Sequence, residues 1–340
     1  MKMLRGLSFF LIVGILIFSL VAPQSLASES SFSIAWVTDT QYLSQDYPQY
    51  FDDASQWIVN NAISYGVKIV VHTGDIVNVG TDLNQWENAN HSMGILLDND
   101  VPYCWDAGNH DIVSGSWNGQ SYLALNSSFM RSKAYWISDC LGGTSTAVSF
   151  NVSQNNFMVV NIRYHANSTV LQWLEAILDA HTESHVIVAT HAYLNETCGY
   201  GNDGWALSLR NGILANHTNV FMTLSGHYHS SSTANRTVVG NRLELFFDRQ
   251  DVEGQKGGAT VRMLIFDLSQ GKMNVKTYDT YAGKLLADAQ NDFTMDLPFQ
   301  AVPEFPQIVF PATFFIITFS YIFVRKLRET QIVRASKKAS

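Results

Sequence analysis

From Phe32 onward the chain alternates short apolar runs with polar clusters. Phe32–Thr38 runs into Asp39, Val67–Thr73 into Gly74-Asp75, and Val101–Ala107 into Gly108-Asn109-His110-Asp111. Further on, His185–Thr190 runs into His191, and Val220–Ser225 into Gly226-His227-Tyr228-His229. Runs of this length, rich in β-branched and aromatic residues, predict buried β-strands. Between them, Tyr50–Ser64 and Ser168–His181 space apolar residues three and four apart, which predicts helices with one buried face. Strands alternating with helices predict an α/β sheet, whose ligands sit outside the carboxyl ends of the strands. The five polar clusters therefore fall where a site belongs.

After His229 the pattern changes. Arg242–Asp248, Thr260–Leu268 and Met273–Tyr278 read as strands with no helix between them, predicting a mostly antiparallel second sheet. Residues 112–148, rich in Ser, Asn and Gly, predict a long loop or cap. Residues 286–307 lose periodicity and hold Pro298, Pro303 and Pro306; they predict a stalk, which bounds the folded body at 28–285.

The two ends carry a different signal. Residues 1–27 combine Lys2 and Arg5 with an apolar run from Leu7 to Val21 and a small-residue ending, the pattern of a secretory signal peptide. Residues 308–324 form a second apolar run, a candidate transmembrane segment, followed by the basic residues Arg325, Lys326 and Arg328. That predicts a cytoplasmic tail at 325–340 and an extracytoplasmic, membrane-anchored body. Sequons at Asn90, Asn126, Asn151, Asn167, Asn195, Asn216 and Asn235 all lie between the apolar segments and agree with a body open to N-glycosylation. Val302-Pro303-Glu304-Phe305-Pro306, followed by an apolar segment and basic residues, resembles a PEF-type sorting signal processed by archaeal sortase-like enzymes. That resemblance implies a processed lipid anchor as the alternative to a permanent span.

Composition narrows the class. With 46% hydrophobic and 12% aromatic residues among 340, the chain can bury one large core or two small ones. The formal net charge is -8 although the extreme tail is basic, so the body is strongly acidic and disfavours bulk nucleic-acid binding. Of three cysteines, Cys104 reads as a buried strand thiol, while Cys140 and Cys198 lie in loop-like sequence and are candidates for a disulfide.

Taken singly the polar clusters mean little, but their order does not. Asp-x-Gln, Gly-Asp, Gly-Asn-His-Asp, a lone His and Gly-His-x-His, each after an apolar run, resemble the calcineurin-like metallophosphoesterase superfamily over Phe32 to about Tyr281. The resemblance implies a four-layer αββα sandwich of two mixed β-sheets flanked by helices. It also implies two metal ions. Asp75 would bridge them, Asp39, Gln41 and His229 would complete one site, and Asn109, His191 and His227 the other. Oxygen and imidazole donors suit Mn, Fe or Zn. Such a pair would hold a small phosphate ester and generate hydroxide for in-line attack, with His110 as the general acid.

Two departures from the family pattern matter. The first motif usually reads Asp-x-His, whereas Asp39-Thr40-Gln41 ends in an amide, a weaker ligand than imidazole. The Gly74-Asp75-Ile76-Val77-Asn78 string lacks the second Asp found in serine/threonine phosphatases. Protein phosphatase activity is therefore disfavoured, and orientation of His110 falls to Asp111 or another carboxylate. His165, after Arg163-Tyr164 at a strand end, is a further candidate for substrate contact. The alternative to an enzyme is a metal-binding surface protein that keeps the fold without turnover.

Overall fold

The computed structural model describes residues 30–118, 127–201, 204–229, 234–252, 256, 258–301, 325, 326 and 328. The chain divides into two units, 1–302 and 303–340; of the second, only Arg325, Lys326 and Arg328 are described, on helical backbone. The predicted signal peptide, the 302–307 motif and the 308–324 segment lie outside the described residues. Among the described residues, no helix is long and apolar enough to cross a membrane.

The first half folds as strand–helix crossovers. β1 (Ser31–Val37) leads through α1 (Gln41–Asp46) and α2 (Pro48–Tyr65) to β2 (Val67–Thr73), then through α3 (Leu83–Asp98) to β3 (Tyr103–Asp106). Pro48 begins α2, where no backbone donor is needed, and left-handed Gly66 ends it. Asp82 caps α3 by accepting from Asn84 N, a bond typically worth about 1 kcal/mol. A small hairpin, β4 (Ile112–Val113) with β5 (Ser116–Trp117), and α4 (Ser127–Arg131) follow.

Next come β6 (Trp136–Cys140), β7 (Ser145–Val152), β8 (Asn155–Ile162), α5 (Ser168–Ala180), β9 (His185–Thr190), α6 (Trp205–Asn211), α7 (Ile213–Asn216) and β10 (Val220–Ser225). The remainder is all strand: β11 (Ala234–Val239), β12 (Arg242–Phe247), β13 (Thr260–Asp267), β14 (Lys272–Asp279), β15 (Lys284–Leu286) and β16 (Asp292–Asp296).

These strands build two mixed sheets. One runs β15-β14-β13-β1-β2-β3, with β16 also on β14; the other runs β11-β12-β10-β9-β8-β7-β6. β1, β2 and β3 are parallel, as are β8, β9, β10 and β12, and the outer strands close each sheet antiparallel.

Alternation along β1 shows how the layers form. Phe32, Ile34 and Trp36 face the second sheet and pack with Val159, Ile187 and Leu224. Ala35 and Val37 face α2 and α3, meeting Phe51, Ile58 and Trp86. On the far side of the second sheet, Val186 and Val188 pack on Leu174 and Leu178 of α5. Helix, sheet, sheet and helix thus form the expected four-layer αββα sandwich.

Three expectations need correction. The strands after His229 do not form a sheet of their own. β12 joins β10 in parallel, whereas β13 and β14 extend the first sheet from β1, because pairing partners lie far away in sequence. The 112–148 segment is not all loop, since β6 and the start of β7 lie in it. Nor does the fold stop at 285. β16 pairs with β14 from Lys272↔Asp296 to Lys276↔Asp292, and Phe299 stacks on His185 at 3.8 Å, so residues 286–301 belong to the folded unit. The cysteines are all free: Cys104 is buried and donates to Asn161 Oδ1, and Cys198 donates to the Arg236 carbonyl.

Candidate metal centre

The five polar clusters converge because five parallel strands end side by side. β1, β2 and β3 deliver Asp39, Asp75 and Asn109-His110 from one sheet, and β9 and β10 deliver His191 and His227 from the other. The backbone is tight where they meet. Asp39, Asp75 and His227 adopt left-handed φ of 52°, 50° and 76°, a conformation that costs non-glycine residues of order 1 kcal/mol or more each. Gly108 and Gly226 fill the gaps between the loops. A Cβ on Gly108 would collide with the Asp75 carboxylate, and one on Gly226 with Thr38 and the Asp39 carboxylate.

Four of the predicted ligands meet at one point, here called the inner position. Nε2 of His191 lies 3.0 Å from Asn109 Oδ1, 3.2 Å from Asp75 Oδ2 and 3.1 Å from His227 Nδ1. His191 and Asp75 are fully buried; Asp75, His191 and His227 form a cluster with metal-ligand spacing. The His191 Nδ1–H donates to the Thr73 carbonyl at 2.8 Å, which fixes the tautomer and leaves Nε2 for the site.

Charge in this pocket is strongly coupled. Burial pushes His191 down, yet the Asp75 and Asp39 carboxylates outweigh it and hold the imidazole well above its usual range. Burial opposes ionisation of Asp75, but His191 and His110 hold its carboxyl below the ordinary value. Burial and His191 depress His227 to about 3, so it is neutral and offers a lone pair. A proton on His191 Nε2 would serve one acceptor well and leave two others unmet, whereas a metal ion satisfies all four donors at once. The donor set fits the metal that the sequence implies.

The outer position is built differently. Asp39 accepts from Thr38 Oγ1 at 2.6 Å and from His227 N; burial and the nearby Asp248 push its carboxyl well up. Gln41 is buried at the start of α1. Its amide lies between two pairs of oxygens, the backbone carbonyls of Asp39 and Asp75, each at 3.1 Å, on one side and Asp75 Oδ2 with Gln250 Oε1 on the other, so its nitrogen can serve only one pair. Facing Asp75 Oδ2, the nitrogen donates to it at 3.4 Å; turned to the carbonyls, it leaves the amide oxygen at that place. His229 stands apart from the inner cluster, half-exposed, with Nδ1 against the Asp251 carboxylate.

The His110 ring is held in one orientation, but not by the carboxylate expected. Its Nδ1–H donates to the Asn78 carbonyl at 2.8 Å, which turns Nε2 into the site, 4.0 Å from Asp75 Oδ2. Asn78 occupies the position where serine/threonine phosphatases carry the second Asp, and here its backbone does the orienting.

Asp111 does something else. Fully buried, it accepts from Ile76 N, Val77 N and Gly108 N at 2.9, 3.0 and 2.8 Å, lacing the β2 and β3 loops together. Burial and neighbouring Asp75 push it up to about 7. His165 stacks on Tyr164 at 3.9 Å and packs against Trp205, and Tyr164 in turn rests on His191 and His227. This aromatic wall backs the inner imidazoles.

Sequence reasoning missed Asp248, Gln250 and Asp251. Asp248 follows the apolar strand β12, the same signal that marked the other clusters. It is buried and holds Gln250 through two bonds, accepting from N at 2.9 Å and from Nε2 at 3.0 Å.

Comparison with known proteins agrees with this architecture. The chain is 29% identical over 267 residues to the uncharacterized protein YvnB of Bacillus subtilis (strain 168), which covers 75% of this chain but only 20% of that protein. Among solved structures, the fold is similar to purple acid phosphatase PPD1 from yellow lupin (Lupinus luteus) seeds. There the TM-score is 0.51 and the identity 13%, over 81% of this chain and 57% of that one. It is also similar to GAP50, the anchor in the inner membrane complex of Plasmodium, with a TM-score of 0.52 and 15% identity over 80% and 90%. The sequence profile of the calcineurin-like phosphoesterases matches residues 32–231, more than half of the chain, and the chain belongs to that family.

Proposed function

We propose that the protein is a metal-dependent phosphoric ester hydrolase acting on small phosphate esters. The observation that carries this reading is the convergence of Asp75, Asn109, His191 and His227 on one point beside the Nε2 of His110. Asp75, Asn109, His191 and His227 would hold one ion, and Asp39, Gln41, Asp75 and His229 the other. Bound there, a pair of Mn, Fe or Zn ions would supply Lewis acidity toward the phosphoryl oxygens and lower the pKa of an attacking water. The chain's own part is positional. The Thr73 carbonyl holds the His191 ring, Asp111 ties the β2 and β3 loops that present Asp75 and Asn109, and the Asn78 carbonyl aims His110 Nε2. From there His110 would protonate the departing alcohol.

The decisive experiment measures bound metal and hydrolysis of a phosphomonoester and phosphodiester panel together. Two ions per chain and chelator-sensitive turnover are expected. A fully metal-loaded protein that hydrolyses no ester would sink the reading. The same proposal places the body outside the cytoplasm, supported by the signal-like start, the apolar segment with its basic flank and the confined sequons. External protease that spared the body on intact cells while removing a surface control would count against this.

A further inference from the structure

The outer position carries an oxygen that the family motifs do not supply. With Gln41's amide nitrogen on the Asp39 and Asp75 carbonyls, its oxygen faces Asp75 Oδ2 and, in close contact, the side-chain oxygen of Gln250; turned over, the nitrogen meets those two oxygens and the amide oxygen is left against the two carbonyls. Gln250's amide nitrogen is committed, donating with its backbone N to the two oxygens of Asp248. All four side chains are buried. In the first orientation three oxygens meet with no hydrogen between them, at Gln41 Oε1, Gln250 Oε1 and Asp75 Oδ2; in the second the Gln41 oxygen meets two carbonyls with none, and only a cation among the three side-chain oxygens leaves every group of Gln41 satisfied. Buried acceptors pressed together without a donor repel, and an arrangement of this kind is costly unless a cation lies among them. Turning the Gln250 amide over only moves the conflict, because its oxygen would then face the Asp248 carboxylate.

We propose that Gln250 is a ligand of the outer metal position, where the amide oxygens of Gln41 and Gln250 together offset the missing imidazole at residue 41, and Asp248 acts as the positioning residue that aims Gln250. The inference rests on the two-metal reading of the site. It also gives the two positions different chemical tastes. The inner one pairs two imidazoles with oxygen donors, whereas the outer one becomes oxygen-rich and prefers a hard ion such as Mn(II) over Zn(II).

The test titrates the metal-free full-length protein with Mn(II), following free Mn(II) by electron paramagnetic resonance, with the melting temperature of each metal-free variant as a control. Two classes of Mn(II) are expected in the unmodified protein. Gln250→Leu should weaken one class about 10-fold or more, leave the other unchanged and keep the metal-free melting temperature. Gln250→Glu, which retains an oxygen at that place, should keep or tighten the same class. Unchanged affinity in Gln250→Leu would overturn the proposal. Equal weakening by Glu and Leu would also overturn it, because the amide N–H to Asp248 would then be what matters, as in a network with a protonated Asp248. Should Gln250→Leu not fold, Gln250→Ala takes its place with the same two outcomes. An unmodified protein that takes up fewer than two Mn(II) removes the two-metal reading and this inference with it. Two bound Mn(II) without ester hydrolysis leaves this inference standing and ends only the hydrolase reading.

Discussion

The inner and outer halves of the proposed metal centre rest on very different scaffolds. The inner donors come from loops at the ends of β2, β3, β9 and β10, and their side chains are braced by Thr73, by Tyr164 and by one another. The proposed outer donors include an amide on a short helix and a half-exposed imidazole paired with a half-exposed aspartate. A site assembled by the folding of two sheets is present before any ion arrives. A site finished by surface loops depends on the ion to complete it. The inner position is therefore expected to fill first and bind tighter, and the outer one to set how activity responds to metal concentration.

Removing the group shared by both halves should have the largest effect. Asp75→Asn is expected to deplete both ions and lower turnover by at least about 10²-fold, the scale that loss of even an outer-shell partner reaches. Retention of two ions per chain by metal analysis would break the comparison, since neither half would then depend on the bridge. Next in size, His110→Ala should keep both ions yet lose roughly 10²- to 10⁴-fold in kcat on an alkyl phosphate. It should lose much less on a nitrophenyl ester, whose leaving group needs no proton. Equal losses on the two esters would assign His110 to phosphate binding or to the metal shell.

The third expectation separates the halves from the ions by pH. In metal-free protein Asp111 and Asp248 are raised to about 7 and about 6 by burial. The unfolded chain loses these protons first, near the ordinary carboxylate value, so from about pH 4 upward to those values stability falls as pH rises. Metal-loaded protein should run the other way, because ligands must shed protons to bind ions and the bound ions stabilise the fold. Thermal melts between pH 4 and 7, with and without chelator, would show opposite slopes; parallel slopes would mean the buried carboxylates are not coupled to metal. The smallest effect should follow Asp251→Ala. This exposed pair with His229 contributes no more than about 1 kcal/mol to stability, so the melting temperature should barely move, while the outer ion weakens and the inner does not. A matched loss at both positions would erase the distinction drawn between them.

Much of this was legible along the chain because it is local. β1, β2, β3, β9 and β10 announce themselves as apolar runs, and each ends in its functional residue within a few positions. What escaped is non-local or polar in composition. β7 carries Asn151 near its turn, and α3 is rich in Asn and Gln; their burial depends on partners that sequence does not name. β16 exists because β14 offers an open edge. Within the site, the convergence of Asp75, Asn109, His191 and His227 was readable from motif order. The aiming of His110 by a backbone carbonyl was not, since a carbonyl has no side-chain identity. Asp248 was readable in principle, as one more carboxylate at the end of an apolar strand, but no motif drew the eye to it.

The left-handed backbone at Asp39, Asp75 and His227 bears on how such a site can change over time. Of the ordinary L-residues, asparagine and aspartate tolerate that conformation best, and β-branched residues worst. Before any chemistry is considered, this conformation disfavours most of the amino-acid alphabet at these three positions. The nearest open neighbour of aspartate is its neutral amide, a single step that removes charge and keeps shape. A lineage leaving catalysis behind would therefore be expected to pass first through asparagine at 39 or 75, with the loops still folded, rather than through collapse of the pocket. Alanine at the same places would confound lost ligation with backbone strain, so the amide variants are the ones that report on ligation alone.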